Sequence, residues 1–302
     1  MSDMNILMTG STGFIGRHLL HRLQREGYFV DEFLDDLTIP SDVSRKLQRR
    51  YDVVIHLGAL TFVPSSWDVP ESYMEVNTMG TLNILKNHRM WDSLIHFSTS
   101  HVYGLQTKFP ITEDSRPNPL DPYSVSKLAG EHLAHVYCMK YKKRLIILRP
   151  FNNFGEGQRE TFLIPSLIKR ACTNEPYIPL EVRGNSMRDY LYVENTCDAV
   201  VKIVEKLSED ESFGRVSMDD YTEPIFNVCS GECLSTLEIA EKVNMLVNGI
   251  QNVKLVESDR ELDIPKLHGS YEKLSRVVGW SPRIDFDDGL RRTVNAYLKR
   301  WR

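Results

Sequence analysis

Long apolar runs are missing from this sequence, and so are paired cysteines, internal repeats and any large excess of one charge. With no 18-residue apolar stretch, a membrane-spanning helix is excluded. The first residues pass straight into a strand-like segment without a signal peptide's apolar core, so the expected location is cytoplasmic. The five cysteines, Cys138, Cys172, Cys197, Cys229 and Cys233, are scattered and include no C-x-x-C pair. That excludes a disulfide framework and reads as reduced thiols. Cys229 and Cys233 lack a second His or Cys pair at ligand spacing, so no metal site is expected. The 37 basic residues against 41 acidic ones leave a net charge of -4 with no basic stripe, which argues against a nucleic-acid partner. What is present is ordinary for a globular protein: 302 residues, 41% hydrophobic and 26% charged. Disorder and collagen are thereby excluded, and the length allows a substantial core and about two domains.

Strand and helix patterns alternate along the first half. The apolar segments Asn5–Met8, Tyr28–Leu34, Asp52–Leu57, Leu94–Phe97 and Leu145–Leu148 predict strands. Helical patterns follow the first (Leu19, Leu20 and Leu23 on one face, ended by Gly27) and recur over Gly80–Lys86 and Tyr123–Tyr141. This alternation predicts an α/β fold with a doubly wound parallel (Rossmann) sheet. After Pro150 the rhythm loosens. Helices are expected over Phe162–Arg170, Asn195–Leu207 (capped by Asn195 or Thr196), after Ser235 and over Asp287–Trp301, with strands at Ile225–Val228 and Val253–Val256. The expected division is a dinucleotide-binding unit over 1–165, to which 188–207 returns. A smaller C-terminal α/β lobe over 166–302 would be mainly substrate-binding.

Between the first strand and helix stands Thr9-Gly10-Ser11-Thr12-Gly13-Phe14-Ile15-Gly16. Gly10 permits the tight exit from the strand, Gly13 lets a pyrophosphate approach the backbone, and Gly16 lets the helix pack closely. The helix N-terminus offers free amides and the positive end of its dipole to phosphate. In that strand-turn-helix context the glycines predict a dinucleotide. Asp31, Glu32, Asp35 and Asp36 all lie near the end of the second strand, where an acid would bind the adenosine ribose. Arg17 is either a solvated helix residue or a partner for a 2′-phosphate, and the choice of cofactor stays open.

Tyr123-Ser124-Val125-Ser126-Lys127 puts a phenol and an ammonium on one face if helical. A nearby ammonium lowers a phenol's pKa, and a tuned Tyr exchanges a proton with a sugar oxygen while hydride moves at the same carbon. The segment Ser98-Thr99-Ser100-His101-Val102-Tyr103-Gly104 follows a strand, at the edge where open α/β sheets bind ligands.

With its G-x-x-G-x-x-G turn, its V-Y-G segment and its Y-x-x-x-K, nearly the whole chain resembles the extended branch of the short-chain dehydrogenase/reductase family. That branch holds the sugar-nucleotide epimerases, dehydratases and 4-ketoreductases. Within it, the stretches Thr61–Pro64, Arg149–Gln158, Asn227–Gly231 and His268–Ser270 are most similar to the GDP-4-keto-6-deoxymannose reductase (GDP-rhamnose synthase) type. The resemblance implies Thr99, Tyr123 and Lys127 as catalytic residues. It implies cofactor contacts from Gly10, Thr12, Gly13, Phe14, Ile15, Gly16, Arg17, Asp36, Leu37, Leu57, Gly58, Ala59, Thr61, Tyr123, Lys127, Pro150 and Asn152. Substrate contacts would come from Val63, Ser100, His101, Asn153, Arg188 and Arg260, the two arginines clamping the nucleotide diphosphate. Asn77–Thr81 resembles the start of a helix backing the site, and His56 reads as structural. Glu156 replaces the family's usual Pro. His101 stands where the family's dehydratases carry a Glu, which argues against elimination and for hydride transfer with one proton.

The function so implied is NAD(P)H-dependent reduction, at C4, of a nucleotide-diphospho-4-keto-6-deoxyhexose, GDP-linked by preference, in deoxysugar biosynthesis. An NAD-dependent 4-epimerase is the alternative; a 4,6-dehydratase and an idle cofactor-sensing subunit are weaker ones. A homodimer through the Tyr123 helix and its neighbour is also implied. The compact stretch from Gly27 to Asp52, with room for about one strand and one helix, favours the reductase.

Overall fold

The computed structural model describes residues 4–173, 178–182, 186–250, 253–257 and 264–301. In chain order the strands are β1 (Asn5–Thr9), β2 (Phe29–Phe33), β3 (Tyr51–His56), β4 (Trp91–Phe97), β5 (Arg144–Pro150), β6 (Asn152–Phe154), β7 (Ile178–Val182), β8 (Met187–Arg188), β9 (Tyr190–Tyr192), β10 (Ile225–Val228), β11 (Leu234–Ser235), β12 (Val253–Glu257) and β13 (Lys266–Leu267). The helices are α1 (Phe14–Arg25), α2 (Pro40–Lys46), α3 (Val63–Asp68), α4 (Pro70–Tyr73), α5 (Gly80–Lys86), α6 (Pro122–Tyr141), α7 (Leu163–Cys172), α8 (Val193–Glu209), α9 (Thr236–Asn248), α10 (Glu272–Val278) and α11 (Phe286–Trp301). A π-helical stretch, Met74–Met79, joins α4 to α5.

The main sheet has the order β10-β5-β4-β3-β1-β2, and every neighbouring pair in it is parallel. Its inner strands β1, β3, β4 and β5 are largely buried on both faces, as a parallel sheet covered by helices on both sides requires, while the edge strand β2 is mostly half-buried. The alternation is direct. Ile6, Met8, Val53, Ile55, Ile146 and Leu148 face Leu19 and Leu23 of α1 and Val200, Ile203 and Val204 of α8. Leu7, Val54, Leu94, Leu145 and Ile147 face Ile84 and Leu85 of α5 and Ala134 and Cys138 of α6. Right-handed crossovers thus bury both faces, and each set of loops at the carboxyl ends falls on one edge.

Two stretches from the second half join this first layer. α8 packs on α1, tied there by an Arg22–Asp198 ion pair, and β10 pairs with β5 to complete the sheet. A second core lies beyond them, where α7, α9 and α11 enclose Phe154, Tyr190 and Tyr192. α9 starts with a capping box between Ser235 and Glu238. α8 does not start as expected: it begins at Val193, its N-cap residue Tyr192 makes no side-chain cap, and Asn195 and Thr196 lie inside the first turn. Their polar groups serve other elements. Asn195 accepts from the Arg283 and Ile284 amides and donates to the Ile284 carbonyl, and Thr196 donates to Asn153 Oδ1. Among the described residues no helix is long and apolar enough to cross a membrane, and no cluster of His, Cys, Asp or Glu is placed to hold a metal ion.

Candidate active site

The strand order reverses direction at β1, so the loops after β1 and β3 open a crevice at the carboxyl edge of the sheet, the place where such sheets take ligands. Thr9, the last residue of β1, organises it. Its hydroxyl hydrogen-bonds His56 Nδ1 at 2.7 Å and accepts from the Gly58 amide at 3.0 Å. The other nitrogen of His56 meets Thr81 Oγ1 at 3.0 Å. Burial pushes this imidazole down to about 3, with the Lys127 charge adding to the effect, so it stays neutral. His56 is thus a strut linking β1, β3 and α5, as expected of it.

Gly10 leaves β1 at φ +71, a left-handed conformation that favours glycine. A Cβ there would lie 2.7 Å from the Gly58 amide nitrogen, and one on Gly16 would lie 2.0 Å from the Gly10 carbonyl oxygen. The glycines therefore let the β1 turn, the β3 loop and the first turn of α1 pack backbone to backbone. Gly13 is the N-cap residue of α1. No side chain caps the helix there and its first turn holds no acid, so its amides are free to face an anion. Thr12 and Gly13 are exposed, Phe14 and Ile15 half-buried, and Ser11 Oγ is buried with no partner among the described residues. A dinucleotide's pyrophosphate fits these groups, which would hold it by backbone amides. Leu37 lies buried against Gly58 and Gly80 and suits an adenine wall beside the half-buried Leu57 and Ala59.

Three of the four nearby acids are engaged locally. Asp31 pairs with Lys46 (2.5 Å) and Tyr51 (2.7 Å), Asp35 with Arg45, and Asp36 accepts from Thr38. Arg17 turns toward another loop and donates to the Gly157 carbonyl at 3.2 Å rather than standing free for a 2′-phosphate.

Thr99, Tyr123 and Lys127 come together, all buried. Asp121 caps α6, accepting from the Ser124 amide at 2.7 Å, and this places Tyr123 and Lys127 on one face of the first two turns. Thr99 stands just past β4, near enough to Tyr123 to act on its phenol. Burial pushes the phenol up to about 12 and outweighs the opposing effect of Thr99; Lys127 is not among the groups that shift it. Desolvation of the phenolate thus sets a direction opposite to the lowering expected from Lys127.

Burial pushes Lys127 down to about 8, against an opposing pull from Glu131. Holding its charge there costs on the order of 3 kcal/mol. Below pH 8 the folded and unfolded chains both carry this proton and the whole cost is present. Between about 8 and 10.5 the folded chain releases it first, so the unfolded chain binds more protons and stability rises with pH. Lys127→Met is therefore expected to be inactive yet more stable than wild type at neutral pH, with the gap closing through that window. Urea denaturation at neutral and alkaline pH measures this; a variant less stable under both conditions contradicts it.

Asn77, in the π-helical stretch, is a positioning residue that sequence patterns did not single out beyond its neighbourhood. Its side chain accepts from the Leu60 amide (2.8 Å), donates to the Leu60 carbonyl (3.0 Å) and donates to Ser126 Oγ (2.9 Å). Ser126 in turn donates to the Tyr123 carbonyl. One buried amide thus fixes the β3 loop against the helix of Tyr123. Removing it strands buried partners, so Asn77→Ala is expected to cost about 3 kcal/mol in urea denaturation. A loss below about 1 kcal/mol would show that the clamp is dispensable.

The remaining predicted residues divide. Ser100 is buried and His101 half-buried beside Tyr123, Val63 opens α3, and Thr61 is exposed just before it. Pro150 ends β5, and Asn152 follows with its side-chain oxygen Oδ1 buried and unpartnered among the described residues. Asn153, expected to face substrate, is engaged within the chain at both ends of its amide: it donates to the Phe151 carbonyl and accepts from Thr196. The unusual Glu156 has a local reason, accepting from Tyr192 at 2.8 Å while its carbonyl meets His18. Arg188, in β8, adds to the lowering of the His101 imidazole that burial causes first. Arg260 lies outside the described residues. Beneath the site, Arg149 and Glu131 form a fully buried bidentate pair, 3.0 and 2.6 Å, that joins β5 to α6.

The model of the NAD dependent epimerase/dehydratase family matches residues 6–219. The GDP-6-deoxy-D-talose 4-dehydrogenase of Aggregatibacter actinomycetemcomitans is 33% identical over 293 residues, covering 91% of this chain and 92% of that one. The GDP-6-deoxy-D-mannose reductase of Pseudomonas aeruginosa is 28% identical, covering 98% of each. Among solved structures, RMD from Pseudomonas aeruginosa complexed with NADPH superposes with a TM-score of 0.85 at 27% identity, over 98% of this chain and 99% of that one.

Proposed function

The chain belongs to the NAD-dependent epimerase/dehydratase family, NAD(P)-dependent enzymes that modify nucleotide sugars, and from that premise we propose that it reduces a GDP-linked 4-keto-6-deoxyhexose at C4. The observation that supports this reading is that Thr99, Tyr123 and Lys127 lie buried around the carboxyl end of β4 and the start of α6, in the same parallel sheet as the glycine turn, with His101 where a dehydratase would need a carboxylate. When bound, the nicotinamide supplies the hydride. Thr99 orients the substrate carbonyl, and Tyr123 hydrogen-bonds the same oxygen and gives it the proton that completes the alcohol. A phenol held up near 12 is protonated at neutral pH, the form a reductase needs. Lys127, a buried cation four residues further along α6, would hold the ribose of the cofactor. Arg188, and Arg260 with it, would clamp the diphosphate.

The relatives support the sugar class, since both are named for GDP-linked 6-deoxyhexoses, one of them for oxidation at position 4. The test is a panel of GDP-, dTDP- and UDP-linked 4-keto sugars with NADPH and NADH, products identified by NMR. The expected result is cofactor consumption with a GDP-linked 4-keto sugar and appearance of a C4 alcohol. Interconversion of 4-hydroxy epimers without net consumption would replace this reading with the epimerase.

A further inference from the structure

Asp189 stands at the join of β8 and β9, next to Arg188, and its side chain is fully buried. A carboxylate buried there is costly unless its oxygens are satisfied, and here they are. Oδ1 accepts from the Ser230 amide (2.8 Å) and the Ser230 hydroxyl (2.7 Å), and Oδ2 accepts from the Gly231 amide (3.0 Å). All three donors belong to the turn between β10 and β11. That turn is shaped for an anion: Gly231 lies at φ +78, and two successive amides converge on the carboxylate. Burial pushes the carboxyl up to about 6 and the donors oppose that rise, so it is ionised at neutral pH. The backbone of the same residue makes two further ties. Its amide donates to the Leu267 carbonyl at 2.8 Å, and its carbonyl accepts from the Asn152 amide at 3.1 Å. β8, the β10–β11 turn, β13 and the start of β6 therefore all meet at Asp189.

Arg188 depends on this node for its place. β8 is only two residues long and lies between β11 and β13, with Leu234 and Leu267 opposite Arg188. So short a strand has few ladder bonds to fix it, and the Asp189 side chain adds the bonds that tie it to the turn leading into β11. We propose that Asp189 is a positioning residue for the sugar nucleotide's diphosphate: by locking β8 to the β10–β11 turn, it holds Arg188 where the phosphates must lie. The proposal rests on the reading above in which Arg188 meets the diphosphate. An arginine fork recognises phosphate at a fixed distance and angle, so a small shift of β8 weakens the contact without removing the charge. The cofactor is held elsewhere, at the glycine turn after β1, and Thr99 and Tyr123 stand on other elements. Loss of the lock should therefore fall on the affinity for substrate and spare the chemistry.

The test is calorimetric titration of GDP into the NADPH-bound protein, beside steady-state reduction of a GDP-linked 4-keto-6-deoxyhexose. Asp189→Asn keeps the size of the side chain and both backbone ties, but removes the charge and turns an N–H toward donors. It is expected to weaken GDP binding about tenfold and to raise KM for the sugar nucleotide to match, with kcat within about threefold of wild type and NADPH affinity unchanged. Arg188→Ala should weaken GDP binding about tenfold or more. In the double variant the second substitution should add less than about twofold, because Asp189 acts through Arg188. Losses that add in full would mark a merely structural residue and overturn the proposal, as would wild-type GDP affinity in Asp189→Asn. Should Asp189→Asn fail to fold, Ser230→Ala takes its place in the cycle. It removes one donor and leaves both amides, so about threefold weaker GDP binding is expected, absent in the Arg188→Ala background; no loss, or a loss that persists there, overturns the proposal. GDP affinity untouched by Arg188→Ala overturns the clamp and this proposal with it. Wild type that binds GDP with the expected cycle but reduces no 4-keto sugar overturns the reductase reading alone.

Discussion

Tyr123→Phe is expected to lose about 10³-fold in turnover while binding NADPH within about threefold of wild type. The asymmetry follows from what the ring does in the fold and what the hydroxyl does in the reaction. The ring is buried between His101 and Tyr73, edge-on to both, and Phe preserves those contacts. The hydroxyl lies within reach of Thr99 and, on the proposed reading, is the acid that serves the substrate carbonyl. Without it, Thr99 still orients the oxygen, but no group delivers the proton in step with hydride transfer. Thr99 cannot substitute, since an alcohol is a far weaker acid than a phenol. The loss should therefore appear in kcat, with KM for the sugar nearly unchanged, as for an interaction made only in the transition state. Steady-state kinetics and fluorescence titration with NADPH separate the two quantities. Turnover within about tenfold of wild type would remove Tyr123 from the mechanism, and a parallel collapse of NADPH binding would make it a structural residue instead.

That the main sheet was legible in sequence has a physical cause. Its inner strands are buried on both faces, so Asp52–Leu57 and Leu145–Leu148 read as continuous apolar runs between helical patterns, and β3 and β5 lie there within one or two residues. The glycine turn was legible for a different reason: steric demands on Gly10 and Gly16 are local, and their spacing records them directly. The pieces between β3 and α5 were not. α3 and α4 are short helices with a proline near each start, and the π-helical stretch after them has no period of its own. They are held by Asn77 and by Tyr73, whose hydroxyl donates to the Phe62 carbonyl, contacts that depend on tertiary placement.

The site residues show the same division. Thr99, Tyr123 and Lys127 are candidates in sequence because each stands at a fixed offset in a motif. That His101 Nδ1 lies 3.9 Å from Asp121 Oδ2 was not legible, because an irregular loop separates the two. The bond that Asn153 receives from Thr196 of α8 was not legible for a related reason, since it joins elements far apart in sequence. Proximity of Tyr123 and Lys127 on a helix face predicted mutual stabilisation of charge, whereas the folded chain buries both and desolvation sets the direction for each. Spacing reports which groups meet; it does not report how dry the meeting place is.

Gly16→Ala and Gly13→Ala are expected to fail in different ways, and the contrast tests how the cofactor turn works. A Cβ on Gly16 would sit 2.0 Å from the Gly10 carbonyl oxygen and 2.9 Å from Ser11 Cα, all backbone. Gly10 cannot retreat, because it already lies against the Gly58 backbone in a left-handed conformation. The first turn of α1 must therefore lift, pulling Leu19 and Leu23 from their places against β1 and β3. Such overpacking costs about 3 kcal/mol, or roughly 5 °C in Tm for a chain of this size. It should also weaken NADPH binding by about 100-fold, since the amides that would hold the pyrophosphate move with the helix. Gly13 is different: a Cβ there meets only the Gly10 carbonyl oxygen, at 3.1 Å, and its φ of -71 suits any residue. Gly13→Ala should keep its Tm within about 2 °C of wild type yet lose cofactor affinity, because the methyl group occupies the line of approach to the amides. Thermal melts with and without NADPH read both effects. A Gly16→Ala protein that melts like wild type would refute the close-packing role, and wild-type NADPH affinity in Gly13→Ala would move the pyrophosphate away from this turn.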